Sequence, residues 1–328
     1  MSSVLDEFLY SEFSTPSTRT VSAVMLIVVS IIGSIMNVLI FIATFFRVTK
    51  RDGFLKICCF NSFGSCIVCI GYLAFPVPSL LLEDPPNHWL NAAMGQFIAW
   101  FGWSIGPLSQ ILLTVNRIIA VYFPLLYMKK YRYNPTNVGI GFSFFVAFIL
   151  LVSFFPEGCH YLFNRDYLGW VGEFTPCIDI MQKTFLVVMM TICALTTCCS
   201  VLLFIKLIIH SPNFRVSNAQ LANRHRKNRK LIIQAIVQSI LIIVDSLNST
   251  ITYNLFPNLF FQFITLSFSM VFLRTLEGFV VFSINETINE EVKKMLRMKS
   301  SASNVFIVPK RSMSTGQRNY ARQSQSIP

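Results

Sequence analysis

The chain has 328 residues, of which 54% are hydrophobic and only 13% charged, and its formal net charge is +12. A soluble domain of this length does not usually hide so much apolar surface, and the charges are spaced far too unevenly for one. Together these features argue against a water-soluble globule and make nucleic-acid binding a poor explanation of the positive charge.

No Asp, Glu, Lys or Arg lies between Arg19 and Arg47, Lys56 and Glu83, Asp84 and Arg117, Arg132 and Glu157, or Lys183 and Lys206. From Lys230 to Arg274 the only charge is Asp245. A helix needs about 20 apolar residues to cross a bilayer core of about 30 Å, so each of the five gaps holds one crossing. The last region holds two, divided at "NLFPN" (254–258), where Asn and Pro mark a turn. The predicted spans are 21–46, 54–75, 92–122, 137–155, 184–209, 231–253 and 258–284. Backbone groups in lipid must bond within their own segment, so the spans are helices. The expected fold is an all-α membrane protein, a seven-transmembrane helix bundle.

Residues 1–20 form a short N-terminal segment, and the first span is too long and too late to resemble a cleaved signal peptide. With the N-terminus outside and the C-terminus inside, 23 of the 27 Lys/Arg face the cytoplasm when Arg117 is counted there, and nine of the fifteen acids lie outside. Lys/Arg bias selects that orientation. The positive charge thus reflects orientation and attraction to anionic inner-leaflet lipid.

The second span carries Cys58, Cys59, Cys66 and Cys69, read as small reduced core residues like Cys193, Cys198 and Cys199 of the fifth. The outer half of the third span reads "AMGQFIAWFGWSIGPLSQ". Phe97, Trp100, Ser104 and Leu108 recur there at helical spacing, with Gln96 and Trp103 beside them. Packing is the commoner use of such aromatics; as a pocket, Gln96, Phe97, Trp100 and Ser104 have no acid among them and suit a neutral or mildly polar molecule. The span closes at Arg117, preceded by the neutral Asn116, in "LLTVNRIIAVYFPLLY".

After the fourth span, Cys159 and Cys177 are the two cysteines that fall outside, in "PEGCHYLFNRDYLGWVGEFTPC". An oxidising exterior favours a bridge between them. Closing that loop is worth about 3 kcal/mol and would hold it as a hairpin over the bundle, with Trp170 available to pack on or near it. A basic run, "NRHRKNRK" (223–230), precedes the sixth span and suits orientation, lipid contact or an acidic partner surface.

Asp245, Arg274 and Glu277 are costly within lipid and should face the bundle interior. Arg274 and Glu277 stand three apart, a spacing that lets them pair as a structural knot or as part of a movable polar network. Asp245 lies nearest the outer face and is the candidate of the three for touching a ligand. The sequons at Asn248 and Asn285 are poor glycan acceptors by location. After the seventh span, Ile284, Ile288, Val292 and Met295 form one apolar face over 285–298, with Glu290 and Lys294 as an i,i+4 pair. This amphipathic helix should lie on the inner membrane surface. Residues 299–328 read as a disordered basic tail in which Ser300, Ser301, Ser312 and Ser314 are candidate phosphate acceptors. His88, His160, His210 and His225 are scattered along the chain and read as surface residues. No metal-ligand cluster, nucleophile–base constellation or phosphate loop is recognisable, so neither enzyme activity nor a cofactor is expected.

The ordered set "SFGSC" (62–66), "GQ" (95–96), "NRIIAVYFPLLY" (116–127), "FPEGCHY" through "TPC" (155–177) and "RTLEGFVVFSIN" (274–285) resembles the nematode serpentine receptor class X, a chemoreceptor family within the rhodopsin-like G-protein-coupled receptors. The resemblance implies a small-molecule or peptide ligand, a heterotrimeric G-protein partner, and a plasma-membrane location in sensory neurons. It also implies that Asn116, Arg117, Pro124 and Tyr127 form the coupling face. The sequence departs from general receptors of this superfamily in having no cysteine at 85–110 and Ser283-Ile284-Asn285 where an Asn-Pro-x-x-Tyr motif is usual. Within class X, Ile118 stands in place of an aromatic residue and Glu277 in place of Asp. The competing readings are a ligand-gated channel or transporter with Asp245, Arg274 and Glu277 along its path, and a poorly coupling decoy receptor. No oligomeric state is assigned.

Overall fold

The computed structural model describes residues 14–47, 53–82, 84, 86–123, 135–153, 156–173, 175–209, 219–256 and 258–296. Among them, seven helical stretches are long and apolar enough to cross a membrane: Pro16–Phe46, Gly53–Leu81, His88–Tyr122, Pro135–Ser153, Pro176–Lys206, Arg229–Thr250 and Leu259–Ile284. The seven predicted crossings are all present, and several helices run on past the apolar stretch that revealed them. The first begins at Pro16 because Thr15 and Thr18 cap it reciprocally and proline favours the first turn. The fifth begins at Pro176, not near 184, so Lys183 lies in the helix and pairs with Asp179 at 2.7 Å. The helix of the sixth span runs from Ala219 to Thr250. The basic run 223–230 is therefore helical, not a loop before the helix, and Arg226 and Arg229 are exposed on it.

The spans pack as a bundle in which the third contacts the second, fourth, fifth and sixth, while the seventh contacts the first, second and sixth. The fourth is peripheral; of its residues Ser143 and Ala147 are buried, whereas Phe142, Phe145 and Phe148 point outward. At one face of the bundle, strands β1 (Tyr161–Asn164) and β2 (Gly169–Gly172) pair antiparallel as a hairpin. The Cys159–Cys177 disulfide, with its Cα atoms 5.4 Å apart, ties the hairpin to the start of the fifth span. The other seven cysteines carry no disulfide.

The hairpin is fastened to four further spans. Asn91 of the third accepts from the Phe163 N–H at 2.7 Å and donates to the Phe163 carbonyl at 2.9 Å. Gly95, one turn further along, leaves the Tyr161 carbonyl the space that a β-carbon would occupy. Ser267 of the seventh donates to the Leu168 carbonyl at 2.6 Å, beside a turn in which Leu168 adopts a left-handed φ of 54° with its side chain fully buried. Arg19 of the first bonds Asp166 at 2.7 Å, and Arg165 donates to the Leu82 carbonyl at the end of the second at 3.2 Å. Trp170 packs against Tyr72 and Phe75 of the second span and against Phe163 of its own hairpin.

At the opposite face, the helix Glu286–Met295 follows the seventh span, with Asn285 as its N-cap accepting from the Ile288 N–H at 3.3 Å. Ile288 and Val292 are buried in a cluster with Ile40, Phe54 and Leu113, so the apolar stripe packs partly on the bundle. Lys294 pairs with Glu291 at 2.7 Å, not with Glu290 as the i,i+4 reading expected; the i,i+3 partner lies equally near on a helix surface.

Replacing Asn91 by Leu should destabilise the folded protein, because the Phe163 N–H and carbonyl both lose their side-chain partner at a cost of about 1–3 kcal/mol per buried group. Thermal unfolding of the purified variant in detergent should show a lower midpoint than the wild type.

Candidate functional site

Pro107 sits within the third helix. A proline has no N–H, so the carbonyl four residues earlier, that of Trp103, lacks its usual intrahelical donor. Arg274 of the seventh span supplies the missing bond, with Nη2 3.1 Å from the Trp103 carbonyl oxygen. Its other terminal nitrogen, Nη1, donates to both carboxylate oxygens of Glu277, at 3.1 and 3.0 Å. Asp245 of the sixth span stands 3.9 Å from Nη2 and accepts from the Trp103 indole N–H at 2.6 Å. Ser65 of the second donates to Glu277 at 3.4 Å, and Asn37 of the first donates to the Arg274 carbonyl at 3.3 Å. The first, second, third, sixth and seventh spans thus meet in one buried network. Arg274, Asp245 and Glu277 are each no more than 2% exposed. Gly106 makes room for the guanidinium; a β-carbon there would overlap Arg274 Nη1.

Above this network, toward the hairpin, lies a cavity of about 70 Å³. Trp100, Trp103 and Phe185 form much of its wall, Tyr161 and Trp170 of the hairpin its roof, and Asp245 its one carboxylate. Edge-to-face contacts between Trp100 and Phe185, with centroids 4.5 Å apart, and between Trp100 and Tyr161, at 5.5 Å, fix the aromatic wall.

Of the five pocket residues read from the sequence, Trp100 and Asp245 line this cavity. Gln96 and Ser104 are fully buried elsewhere, and Phe97 is 41% exposed on the outer surface. The regular helical spacing behind that set is broken by a π-helical turn at Gln96–Gly102. Such a turn adds a residue to the helix and rotates the residues beyond it by about 100° relative to an unbroken α-helix. Trp103 therefore faces the cavity and Phe97 faces away. The spacing of side chains gave no hint that the Trp103 carbonyl is a partner of Arg274, although Pro107 four residues later is a signal for it.

At the opposite face, Arg117 is buried beneath Phe54, its guanidinium carbon 5.2 Å from the ring centroid. None of its guanidinium nitrogens has a hydrogen-bond partner among the described residues. The Asn116 side chain sits against Gly53 at the start of the second span. Pro124 and Tyr127 lie outside the described residues. Lys206 lies over the Tyr122 ring at 3.3 Å, and Lys230 of the sixth span pairs with Glu286.

Residues 27–285, which hold this network, cavity and buried arginine, match the family model described as serpentine type 7TM GPCR chemoreceptor Srx. The chain belongs to the Srx family of chemoreceptors. The match covers most of the seven-helix region, and with seven crossing-length helices it makes the chain a multi-pass membrane protein of a receptor class, not of an enzyme class. No curated protein matches the sequence. Within the Srx frame, Asn248 is no glycan acceptor candidate in this structure: its amide donates to Ser269 at 2.8 Å between the sixth and seventh spans.

Arg274→Met should cost about 3–5 kcal/mol, because it leaves two buried carboxylates without their cation. Surface expression and the melting midpoint should both fall, and adding Glu277→Met and Asp245→Asn to the same chain should recover part of the loss.

Proposed function

We propose that this Srx chain is a plasma-membrane chemosensory receptor of sensory neurons, with the hairpin face outside and the Arg117 face in the cytoplasm. It binds a small extracellular ligand in the cavity under the hairpin and signals through a heterotrimeric G protein. In that arrangement residues 1–20 are the outer segment, 21–284 the membrane domain, 285–298 the inner-surface helix and 299–328 the cytoplasmic tail.

The observation that carries this reading is the double duty of Trp103. Its ring is cavity wall, its indole N–H is bound to Asp245, and its carbonyl is bound to Arg274. A ligand that shifts Trp103 or bonds Asp245 therefore acts directly on the contact between the third, sixth and seventh spans. A cavity of about 70 Å³ lies below the usual range of about 300–1,000 Å³ and favours a small molecule over a peptide. Its mostly apolar wall, with five aromatic rings and one carboxylate, suits a largely apolar molecule bearing one hydrogen-bond donor.

Signalling follows from population shift. The ligand must bind the open bundle better than the closed one, and moving the balance from 1:99 to 99:1 takes about 5.5 kcal/mol of differential binding. The buried Arg117, stacked on Phe54, corresponds to the closed state. In the open state, outward movement of the sixth span would release Arg117 toward the G protein. With Asn116 in place of an acid, no countercharge among the described residues adjoins the arginine; the Lys230–Glu286 pair and the packing of Ile288 and Val292 supply restraint instead.

A G-protein activation assay over a panel of small organic molecules, at matched surface expression, tests the reading. Arg117→Ala should abolish ligand-evoked activation while leaving surface delivery intact; activation equal to wild type would refute the coupling role. Asn116→Asp should lower basal signalling, by about five-fold for each 1 kcal/mol of added restraint. Basal output that stays level or rises would refute the missing-countercharge account.

A further inference from the structure

Three groups far apart in sequence converge on the hairpin face beside the first turn of the third span. His88 Nε2 lies 3.0 Å from Glu173 Oε1, and His160 Nδ1 lies 3.3 Å from the same oxygen. One ligand atom from each residue falls within 4.8 Å of the others. The two imidazole rings stand 5.4 Å apart, nearly perpendicular. Two of the four histidines read from the sequence as scattered, His88 and His160, are therefore a pair, gathered by a shared carboxylate.

We propose that His88, His160 and Glu173 form a binding site for a divalent transition cation of the Zn²⁺ class. The donor set is two neutral nitrogens and one carboxylate oxygen, which suits borderline cations such as Zn²⁺ and disfavours Mg²⁺ and Ca²⁺, which prefer oxygen-only shells. Ligand bonds of about 2.0–2.2 Å in a tetrahedral shell put neighbouring donor atoms about 3.4 Å apart, close to the two nitrogen–oxygen spacings of 3.0 and 3.3 Å already present.

The frame that holds these donors is rigid on two sides. His160 and Glu173 face each other across the base of the hairpin, with the Glu173 N–H donating to the His160 carbonyl at 3.0 Å. Glu173 Oε2 accepts from the His160 backbone N–H at 3.2 Å, which leaves Oε1 directed at the imidazoles. Such outer bonds orient a ligating carboxylate. Cys159, next to His160, is locked by the disulfide. Partial burial works against ionisation of Glu173, yet the His160 backbone N–H and the two imidazoles hold its carboxyl below the usual value. His88, more than half exposed, is the adjustable ligand and needs only a side-chain rotation to close the shell. The adjoining hollow of about 430 Å³, which Glu157 also lines, leaves a fourth position for water or a second carboxylate.

A bound ion would join the third span to the hairpin, which the disulfide joins only to the fifth. It would act as a second, reversible staple over the outer end of the bundle. This inference rests on the geometry of the loop and does not depend on the ligand cavity or on G-protein coupling.

The test is a Zn²⁺ titration of the full-length receptor in lipid nanodiscs, monitored by calorimetry and by thermal unfolding, with Co²⁺ as a spectroscopic stand-in. The expected result is one Zn²⁺ bound per receptor at micromolar concentration, a raised melting midpoint, and the intense visible bands of four-coordinate Co²⁺. His88→Ala, on an exposed side chain, should weaken binding by about tenfold or more while leaving the midpoint in chelator unchanged. Glu173→Gln should weaken it similarly, and Mg²⁺ or Ca²⁺ should produce no shift. Equal Zn²⁺ affinity in wild type, His88→Ala and Glu173→Gln would overturn the proposal by placing the ion elsewhere, for example on the thiols of the spans. An absence of binding below millimolar Zn²⁺ would overturn it outright.

Discussion

A guanidinium buried in a membrane bundle needs acceptors on several sides at once, and Arg274 finds them because a proline on another helix has left a carbonyl without its donor. Satisfying that cation fixes much else. Glu277 must lie one turn along the same helix, Asp245 must approach from the sixth span, and Gly106 must lack a side chain. The third helix must present Trp103 to the seventh, which the π-helical turn at Gln96–Gly102 arranges. Another π-helical turn, Ile264–Phe268, precedes Arg274 on the seventh helix and packs against the hairpin strand β2. Both helices that meet at this contact are therefore irregular on the side of the cavity. Irregular backbone of this kind is common at functional sites.

The bundle itself was readable from charge spacing because lipid imposes one simple rule: no unpaired charge over about 20 residues. The same rule blurs helix ends, since helices are closed by caps and not by hydropathy. Thr15 and Pro16 start the first span, and Pro176 the fifth, ahead of their apolar stretches. The disulfide and its hairpin followed from compartment and cysteine count, and the structure contains both. The pairing of Arg274 with Glu277 followed from spacing alone.

The features that sequence spacing left hidden depended on an interrupted period or on distant partners. The expectation of Phe97 as pocket and Trp103 as neighbour assumed an unbroken helix, and one π-helical turn reversed them. Asn91 carried no pattern at all, because its role is to complete the backbone pairing of a strand some seventy residues away. His88 and His160 lie far apart in sequence, and Glu173, which gathers them, reads in isolation as an ordinary loop acid. Each of these is visible only with the hairpin folded back over the third span.

The way the hairpin is fastened has a directional consequence. Its anchors are distributed over the first, second, third, fifth and seventh spans, through Arg19, the Leu82 carbonyl, Asn91, the disulfide and Ser267. None of these ties reaches the sixth span, which nevertheless contributes Asp245, Ser246 and Ser249 to the cavity. Of the two spans that these ties leave out, the peripheral fourth lines no part of the cavity, so the sixth is the door. A displacement beneath the hairpin would meet least resistance at the sixth span, whose far end carries the exposed Arg226 and Arg229.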